Sequence, residues 1–188
     1  MLDGHARINY SATPARRTRL SYLRNTLKMT KQQLVATIIA RLEADLALFT
    51  AAALHAHSAA THEECQPDNK YDTTALEASY IAQGQANRAQ EIRQSLEAYR
   101  ALEVQEFSDD SSARLSALVT LGEEAGGERR LFIGLQAGGM KLADSAGEVV
   151  VITPASPLGK RLLGLVAGDE VEGVDAGRGT VYTIVSVS

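Results

Sequence analysis

The chain has 188 residues and a formal net charge of −4, with 45% hydrophobic residues, 5% aromatic residues, no tryptophan and one cysteine. The hydrophobic content excludes a wholly disordered chain, and the length allows one ordinary domain or two small ones. No apolar run reaches the roughly 20 residues that span a bilayer. Because one cysteine cannot form an internal disulfide, we expect a reduced, cytoplasmic protein without a membrane partner.

The charge is distributed unevenly along the chain. Residues 1–28 carry six basic side chains and one acidic side chain, whereas 29–188 have a net charge of −9. Duplex nucleic acid is bound mainly by Lys and Arg on its phosphates, so direct DNA binding is not expected of this body. We expect 1–28 to be a basic, disordered extension ahead of a start at Met29, and an Arg-rich transit peptide is the alternative.

Two long helical segments follow. From Lys31 to Thr61 there is no Gly or Pro, and apolar residues recur at steps of three and four: Val35, Ile38, Leu42, Leu46, Phe49, Ala53, Ala56 and Ala60. The apolar positions of a second segment over 68–106 include Leu76, Tyr80, Ile92, Leu96, Tyr99 and Leu102. Two such helices joined by a short turn predict an antiparallel coiled-coil hairpin over 29–106.

The predicted turn of this hairpin, over 61–72, is strongly acidic. Asp68 and Asp72 would lie in the first turn of the second helix, where the helix dipole favours negative charge by about 0.3–1 kcal/mol each. Glu63 and Glu64 would lie at the end of the first helix, where the dipole opposes them. Since stability does not explain that placement, these two are the stronger functional candidates.

A zinc site is an alternative interpretation of the same turn, because His55, His57, His62 and Cys65 are close in sequence. His55 and His57 are two residues apart on a helix and point to different faces, unlike the i, i+4 pair of a zinc-binding helix. Without a second cysteine, zinc is the weaker hypothesis. The acids around Cys65 disfavour a reactive thiolate, so we do not expect a cysteine nucleophile.

The composition changes after residue 106. Residues 107–112 are predicted to be a linker, and 134–139 a loop without the features of a phosphate-binding loop. Strands are predicted over 115–121, 130–135, 148–153, 170–174 and 180–187. Ser156 fits an N-cap, Pro157 a first helical position and Gly164 a C-cap. The predicted fold class is α+β, with a helical hairpin and then a small antiparallel β domain over 113–188 carrying one short helix.

Two motifs occur in the C-terminal region, one in the run from Ile152 to Gly164 and one after it, and they contain the following residues: Ser156, Pro157, Leu158, Gly159, Gly168 and Asp169. In these residues the region resembles the GreA/GreB family of bacterial transcription elongation factors. The family pattern is Ser-Pro, a helical Leu-Gly, Gly-Asp-x-Val and a final strand. Asp68-Asn69-Lys70-Tyr71 also resembles the family's acidic-Asn-x-x-Tyr element, so the resemblance spans 31–188.

The resemblance implies a coiled-coil finger on an FKBP-like domain that docks on RNA polymerase through those C-terminal residues. The finger would enter the secondary channel, bringing a set of acids to the polymerase active site: Glu63, Glu64, Asp68 and Asp72. There Glu64 and Asp68 would help hold Mg²⁺, and cleavage of backtracked transcripts would be stimulated. Such a factor is not itself an enzyme, binds no cofactor alone and meets nascent RNA only within the polymerase complex.

The tip departs from the family element Asp-x-x-Glu-Asn-x-x-Tyr. If Asp68-Asn69 is aligned with the Glu-Asn of this element, the family's Asp falls on Cys65. If Tyr71 is aligned with the family's Tyr, the family's Glu falls on Pro67. Either register lacks one acid, so polymerase binding with modulation of elongation is the primary prediction. The alternatives are a channel factor without cleavage activity that inhibits or regulates the polymerase, and a plain protein-interaction module with the hairpin as a dimerisation arm.

Overall fold

The protein is described by a computed structural model over residues 29–61, 74–108, 110–123, 126–175 and 178–188. The predicted basic head lies outside these residues, as do the predicted tip acids Glu63, Glu64, Asp68 and Asp72 and the predicted zinc ligands His62 and Cys65. The helices are α1 (Lys31–Thr61), α2 (Thr74–Arg100) and α3 (Pro157–Leu162). The strands are β1 (Leu118–Glu123), β2 (Glu128–Ile133), β3 (Lys141–Asp144), β4 (Gly147–Ile152), β5 (Glu170–Asp175) and β6 (Arg178–Val187).

The helical hairpin and the β domain with one short helix confirm the predicted fold class. On α1 the predicted apolar face is the packed one, since Val35, Ile38 and Leu42 are buried and the following positions as far as Ala56 are half-buried. We call 31–45 of α1 and 88–100 of α2 the root of the hairpin. We call 46–61 of α1 and 74–87 of α2 its distal half.

Helix α2 differs from the prediction at both ends of its described length. Leu76 and Tyr80 were predicted on the packed face, but they are 53% and 70% exposed, because smaller residues such as Ala82 occupy the seam. The helix ends at Arg100, six residues earlier than predicted. Beyond it the backbone N–H of Gln105 donates to Ser116 Oγ at 3.0 Å, so contacts with the β domain replace further helix.

The six strands form one sheet in the order β3-β4-β2-β1-β6-β5. The prediction of an antiparallel sheet is wrong at one pairing, because β2 and β4 run parallel. The cause is β3, a four-residue edge strand without β-branched residues that the sequence pattern did not predict. The predicted loop after β2 is confirmed and leads out to β3, and the chain then returns through β4 between β3 and β2.

Alternation along the strands gives the sheet two apolar faces. Leu131 and Ile133 of β2 face a core that also contains Leu162 of α3. Phe132, between them in sequence, faces the second core, which contains root residues such as Ile38. The hairpin therefore stands on one face of the sheet and α3 packs on the other. None of the described helices is long and apolar enough to cross a membrane.

Candidate functional site

The predicted partner-binding residues occupy two turns of the β domain. The first turn opens α3 and contains Ser156, Pro157, Leu158 and Gly159, while the second precedes β5 and contains Gly168 and Asp169. The predicted tip acids lie outside the described residues, so the geometry of the candidate site is that of these two turns.

Ser156 caps α3 as predicted. Its backbone is extended, and its Oγ accepts a hydrogen bond from the Gly159 N–H at 3.0 Å while donating to the Thr153 carbonyl at 2.7 Å. Pro157 follows in the first turn of the helix, where a missing N–H has no consequence. The capped turn holds the start of this short helix in one geometry.

Gly159 is required by a close backbone approach. A Cβ at this position would collide with the Thr153 carbonyl oxygen, which is backbone and cannot move aside cheaply. Leu158 beside it is half-buried and packs against the core on the α3 face. At the other end the C-cap is Leu163, one residue before the predicted Gly164. Gly164 follows it at φ +87°, a left-handed geometry that favours glycine just after a helix.

The second turn is tied to the last strand. Gly168 has φ +94°, a left-handed geometry that favours glycine, and its N–H donates to the Ile184 carbonyl at 2.8 Å. The Ile184 N–H in turn donates to the Asp169 carbonyl at 2.8 Å. The Asp169 carboxylate accepts from the Val166 N–H at 2.8 Å, so this side chain closes the turn.

These contacts separate the residues that build the turns from those that present a surface. Pro157 is exposed at the start of α3, and Lys160 is exposed one turn later. Leu163 and Val166 are 40% and 36% exposed near the end of the helix. The candidate surface therefore has exposed apolar side chains, with the basic Lys160 on α3 and the acidic Glu170 beside the second turn.

A buried ion pair links two strands of the sheet and is hydrogen-bonded to the residue two positions before α1. Arg130 of β2 bonds to Asp144 of β3, and their side chains are 8% and 0% exposed. The Met29 N–H, just before α1, donates to the other Asp144 oxygen at 3.1 Å. Burial acts to raise the pKa of Asp144, but the hydrogen bonds and charge of Arg130 and the Met29 N–H outweigh it and hold that pKa below its ordinary value.

Two further contacts fix the hairpin on the sheet. Tyr99 of α2 is buried, and its hydroxyl donates to the Gln136 carbonyl at 2.8 Å. Burial raises the pKa of Tyr99, and a Cβ at Gly134 would collide with its hydroxyl. No sequence pattern predicts these hydrogen bonds of Asp144 and Tyr99. Their partners are 14 to 115 positions apart in the chain, so the contacts depend on the tertiary fold.

Phe107, in the predicted linker region, is held between two cations. Lys31 Nζ lies 4.2 Å and Arg114 Cζ 4.5 Å from the ring centroid, and the Lys31 ammonium also donates to the Gln105 carbonyl. Burial lowers the pKa of Lys31, and the charge of Glu106 offsets this only in part. The segment after α2 is therefore attached to the start of α1.

The two described histidines of the zinc hypothesis, His55 and His57, are both exposed on α1. Within the described residues, no group of three potential ligands among His, Cys, Asp and Glu could hold a metal ion.

No protein-family model matches the chain, and no curated protein matches its sequence. Among solved structures, the chain is similar to GreA factor homolog 1 (Gfh1) of Thermus thermophilus, with 19% identity over 80% of this chain and 94% of that one and a TM-score of 0.36. Gfh1 of Thermus aquaticus has 18% identity, 81% and 92% coverage and a TM-score of 0.35. A GreA/GreB elongation factor from Nitrosomonas europaea has 22% identity, 52% and 78% coverage and a TM-score of 0.34.

Proposed function

We propose that the protein is a Gre-type transcription factor that binds RNA polymerase through its β domain and inserts the helical hairpin into the secondary channel. The observation that carries the proposal is the combination of the C-terminal Gre-like motif with a long hairpin whose turn is acidic in sequence. In this function the protein acts in the cytoplasm and alters the activity of the polymerase, with no catalysis of its own.

The hairpin has the dimensions that this function needs. At 1.5 Å per residue, the 31 residues of α1 make a rod of about 46 Å. Its root is held on the sheet by their shared apolar core and by the Tyr99 hydrogen bond, so a docked β domain would aim the rod in one direction. A finger that must place side chains in a remote active site requires this rigidity.

The tip carries the oxygen ligands that Mg²⁺ prefers. Glu64 and Asp68 would hold the ion together with the polymerase, and the ion would supply positive charge and an ordered water at the transcript. Glu63 and Asp72 would add negative charge beside them. The chain's own contribution is to deliver these carboxylates.

The incomplete family element at the tip favours a second candidate function. Because either alignment register lacks one acid of the pair, the hairpin would occupy the channel without stimulating cleavage, and would then inhibit or regulate the polymerase. Both candidates require polymerase binding, and they differ in the outcome of a cleavage assay.

Polymerase binding is tested by the affinity of the purified full chain for core RNA polymerase. Pro157→Glu is the informative variant, because an acid in the first helical turn is compatible with folding and alters the exposed surface. We expect it to weaken binding about tenfold or more. Ala146→Glu adds the same charge to the exposed turn beyond β3, at the other edge of the sheet, and should bind like the unaltered protein. Absence of any binding by the unaltered chain would reject the proposed function.

The role of the tip is tested in halted, backtracked elongation complexes with Mg²⁺. The variant replaces the four acids by their amides, as Glu63→Gln, Glu64→Gln, Asp68→Asn and Asp72→Asn. If the tip is catalytic, this change abolishes cleavage and leaves the affinity for polymerase intact. An unaltered protein that binds and competes with a cleavage factor, but shows no cleavage, identifies the regulatory candidate.

A further inference from the structure

The hairpin covers only part of the sheet face on which it stands. The core beneath it contains Phe132 of β2 and Leu142 of β3, and Leu118 at the start of β1 packs against its margin. Because side chains alternate along a strand, Thr120 and Gly122 lie on the same face as Leu118. Beyond them, β6 and β5 complete the sheet on the side away from the hairpin.

An apolar stripe runs along β6 on this uncovered part. Val181 and Val185 are 51% and 53% exposed, and Thr183 between them is also exposed. Thr183 lies opposite Gly122, and a Cβ on Gly122 would lie 3.1 Å from the Val185 side chain, so the stripe is on the hairpin face. A solvated sheet face normally presents polar side chains, so two exposed valines on an inner strand indicate an interaction surface.

Three carboxylates flank the stripe. Glu170 and Glu172 of β5 are paired with stripe residues, and Glu128 of β2 is paired with Gly122, so all three lie on the same face. They are exposed, and within the described residues none of the three forms an ion pair. We call this area the open face, and its residues are Glu128, Glu170, Glu172, Val181, Thr183 and Val185.

The chain ahead of α1 is attached on the same side of the sheet. The Met29 N–H donates to Asp144 of β3 at 3.1 Å, and the Met29 side chain packs against the core between hairpin and sheet. Neighbouring strands are about 4.8 Å apart, so β1 is about 14 Å and β5 about 24 Å from β3. Since 28 extended residues span about 90 Å, the segment 1–28 is long enough to reach all of the open face.

We propose that residues 1–28 dock on the open face of their own chain, with basic side chains on its carboxylates and apolar side chains on its valines. The segment has six basic side chains and one acidic side chain, and it also contains Leu20, Leu23 and Leu27. The sequence predicts no fold of its own for this segment, so an ordered state requires a surface on the body. The proposal goes beyond the polymerase function and does not depend on it.

Charge and attachment select this occupant. The exposed charges of the open face are all negative, so a nucleic acid or an acidic protein is repelled and a basic segment is attracted. Attachment at Met29 gives the segment an effective concentration on the order of millimolar, which a second copy would reach only at that protein concentration. Exposed ion pairs are screened by salt, so docking should weaken as the ionic strength rises.

Paramagnetic broadening of NMR signals in the full chain tests the proposal. Cys65→Ser removes the natural thiol, and Ser11→Cys allows a nitroxide to be attached within the segment without loss of a basic or apolar residue. At low salt we expect broadening of the amide signals of Val181 and Thr183, and recovery of these signals at high salt. Signals of α3, which packs on the opposite face, should stay sharp.

Two sets of charge variants determine whether the carboxylates hold the segment. The test variant combines Glu128→Gln, Glu170→Gln and Glu172→Gln, and it should abolish the broadening. The matched control combines Glu43→Gln, Glu91→Gln and Glu97→Gln, which removes three exposed acids from the root of the hairpin and should leave the broadening unchanged.

The apolar stripe is tested by Val181→Thr combined with Val185→Thr. Threonine is also β-branched and suits a strand, so circular dichroism should show an intact fold, while the more polar surface should reduce the broadening.

Three results would overturn the proposal. The first is broadening that is absent at low salt or spread evenly over the whole body. The second is an equal reduction by the test and control charge variants, because net charge and not the open face would then be responsible. The third is broadening of an isotope-labelled chain only by the nitroxide of a separate, unlabelled chain, which would assign the contact to a second copy.

Discussion

The root and the distal half of the hairpin belong to the same two helices, but they differ in which side chains they bury and which they expose. The root buries large residues such as Ile38 and Leu96 against the sheet and keeps its charges in water. The distal half packs mainly on alanine and leaves Leu54 and Tyr80 exposed. An alanine seam allows the helices to approach closely but buries little area, so stability is concentrated at the root. The distal surface is thereby available for binding.

The largest expected effect lies at the buried ion pair between β2 and β3, in the sheet on which the root packs. Asp144→Ala would leave the Arg130 guanidinium buried without its counter-ion, and breaking such a pair costs about 3–5 kcal/mol in the free energy of unfolding. Urea unfolding followed by circular dichroism measures this difference. The double variant Arg130→Met/Asp144→Leu removes both charges and should recover most of the loss. A single-variant effect below about 1 kcal/mol would contradict a structural role for the pair.

The comparison of the two halves can be made directly on α1. Ile38→Ala removes a fully buried side chain at the root and should lower the free energy of unfolding by about 2–5 kcal/mol. Leu48→Ala changes a side chain that is 65% exposed in the distal half and should change the free energy by no more than about 0.5 kcal/mol. Similar losses in urea unfolding would show that the two halves do not differ as described.

The same ion pair should also make stability depend on pH in the acidic range. Although burial acts to raise the pKa of Asp144, Arg130 and the Met29 N–H hold it below the ordinary value of 3.8. The stabilising contribution is therefore complete above the unfolded pKa and is lost as the pH falls through the folded pKa. Urea midpoints measured from neutral pH to about pH 2 should fall more steeply for the unaltered chain than for Arg130→Met/Asp144→Leu. Parallel curves would exclude Asp144 as the titrating group.

The smallest effects distinguish two buried tyrosines. Tyr99→Phe removes the hydrogen bond to the Gln136 carbonyl at the root and should cost about 0.5–1.5 kcal/mol. The Tyr182 hydroxyl is buried in the opposite core with no hydrogen-bond partner among the described residues. Tyr182→Phe should therefore leave the melting temperature unchanged or raise it slightly, because no partner is lost. A lower melting temperature for Tyr182→Phe than for Tyr99→Phe would contradict this prediction, because it would mean that the Tyr182 hydroxyl contributes more to stability than the Tyr99 hydroxyl.

Local signals predicted much of the fold. The three-and-four spacing identified α1, and the Ser156, Pro157 and Gly164 pattern identified α3, because these depend on neighbouring residues along the chain. Strand β3 was missed because four residues without β-branching carry no local preference. Its position at the sheet edge also explains why the parallel β2–β4 pairing was not predicted.

The capped turn of the candidate site was predictable for the same reason, because the requirements of the Ser156 N-cap appear as a short motif. The backbone requirements of Gly159 and Gly168 became apparent only in the structure. The Arg130–Asp144 pair was not predictable, since either residue in sequence looks like an ordinary surface charge. The prediction that Leu76 and Tyr80 lie on the packed face is wrong. Helical spacing shows which apolar residues share a face, but it does not show which face packs on the partner helix.

By itself, the sequence determined the order of the helices and of five of the six described strands, the capped turn at Ser156, the acidic composition of residues 61–72 and the uneven charge along the hairpin. These follow from backbone preference and composition, which act over a few residues. Only the tertiary structure decided which half of the hairpin rests on the sheet, which apolar side chains stay in water and which two charges are buried together. Those outcomes depend on packing between segments far apart in the chain, because the same contacts bury apolar surface and remove charged groups from water.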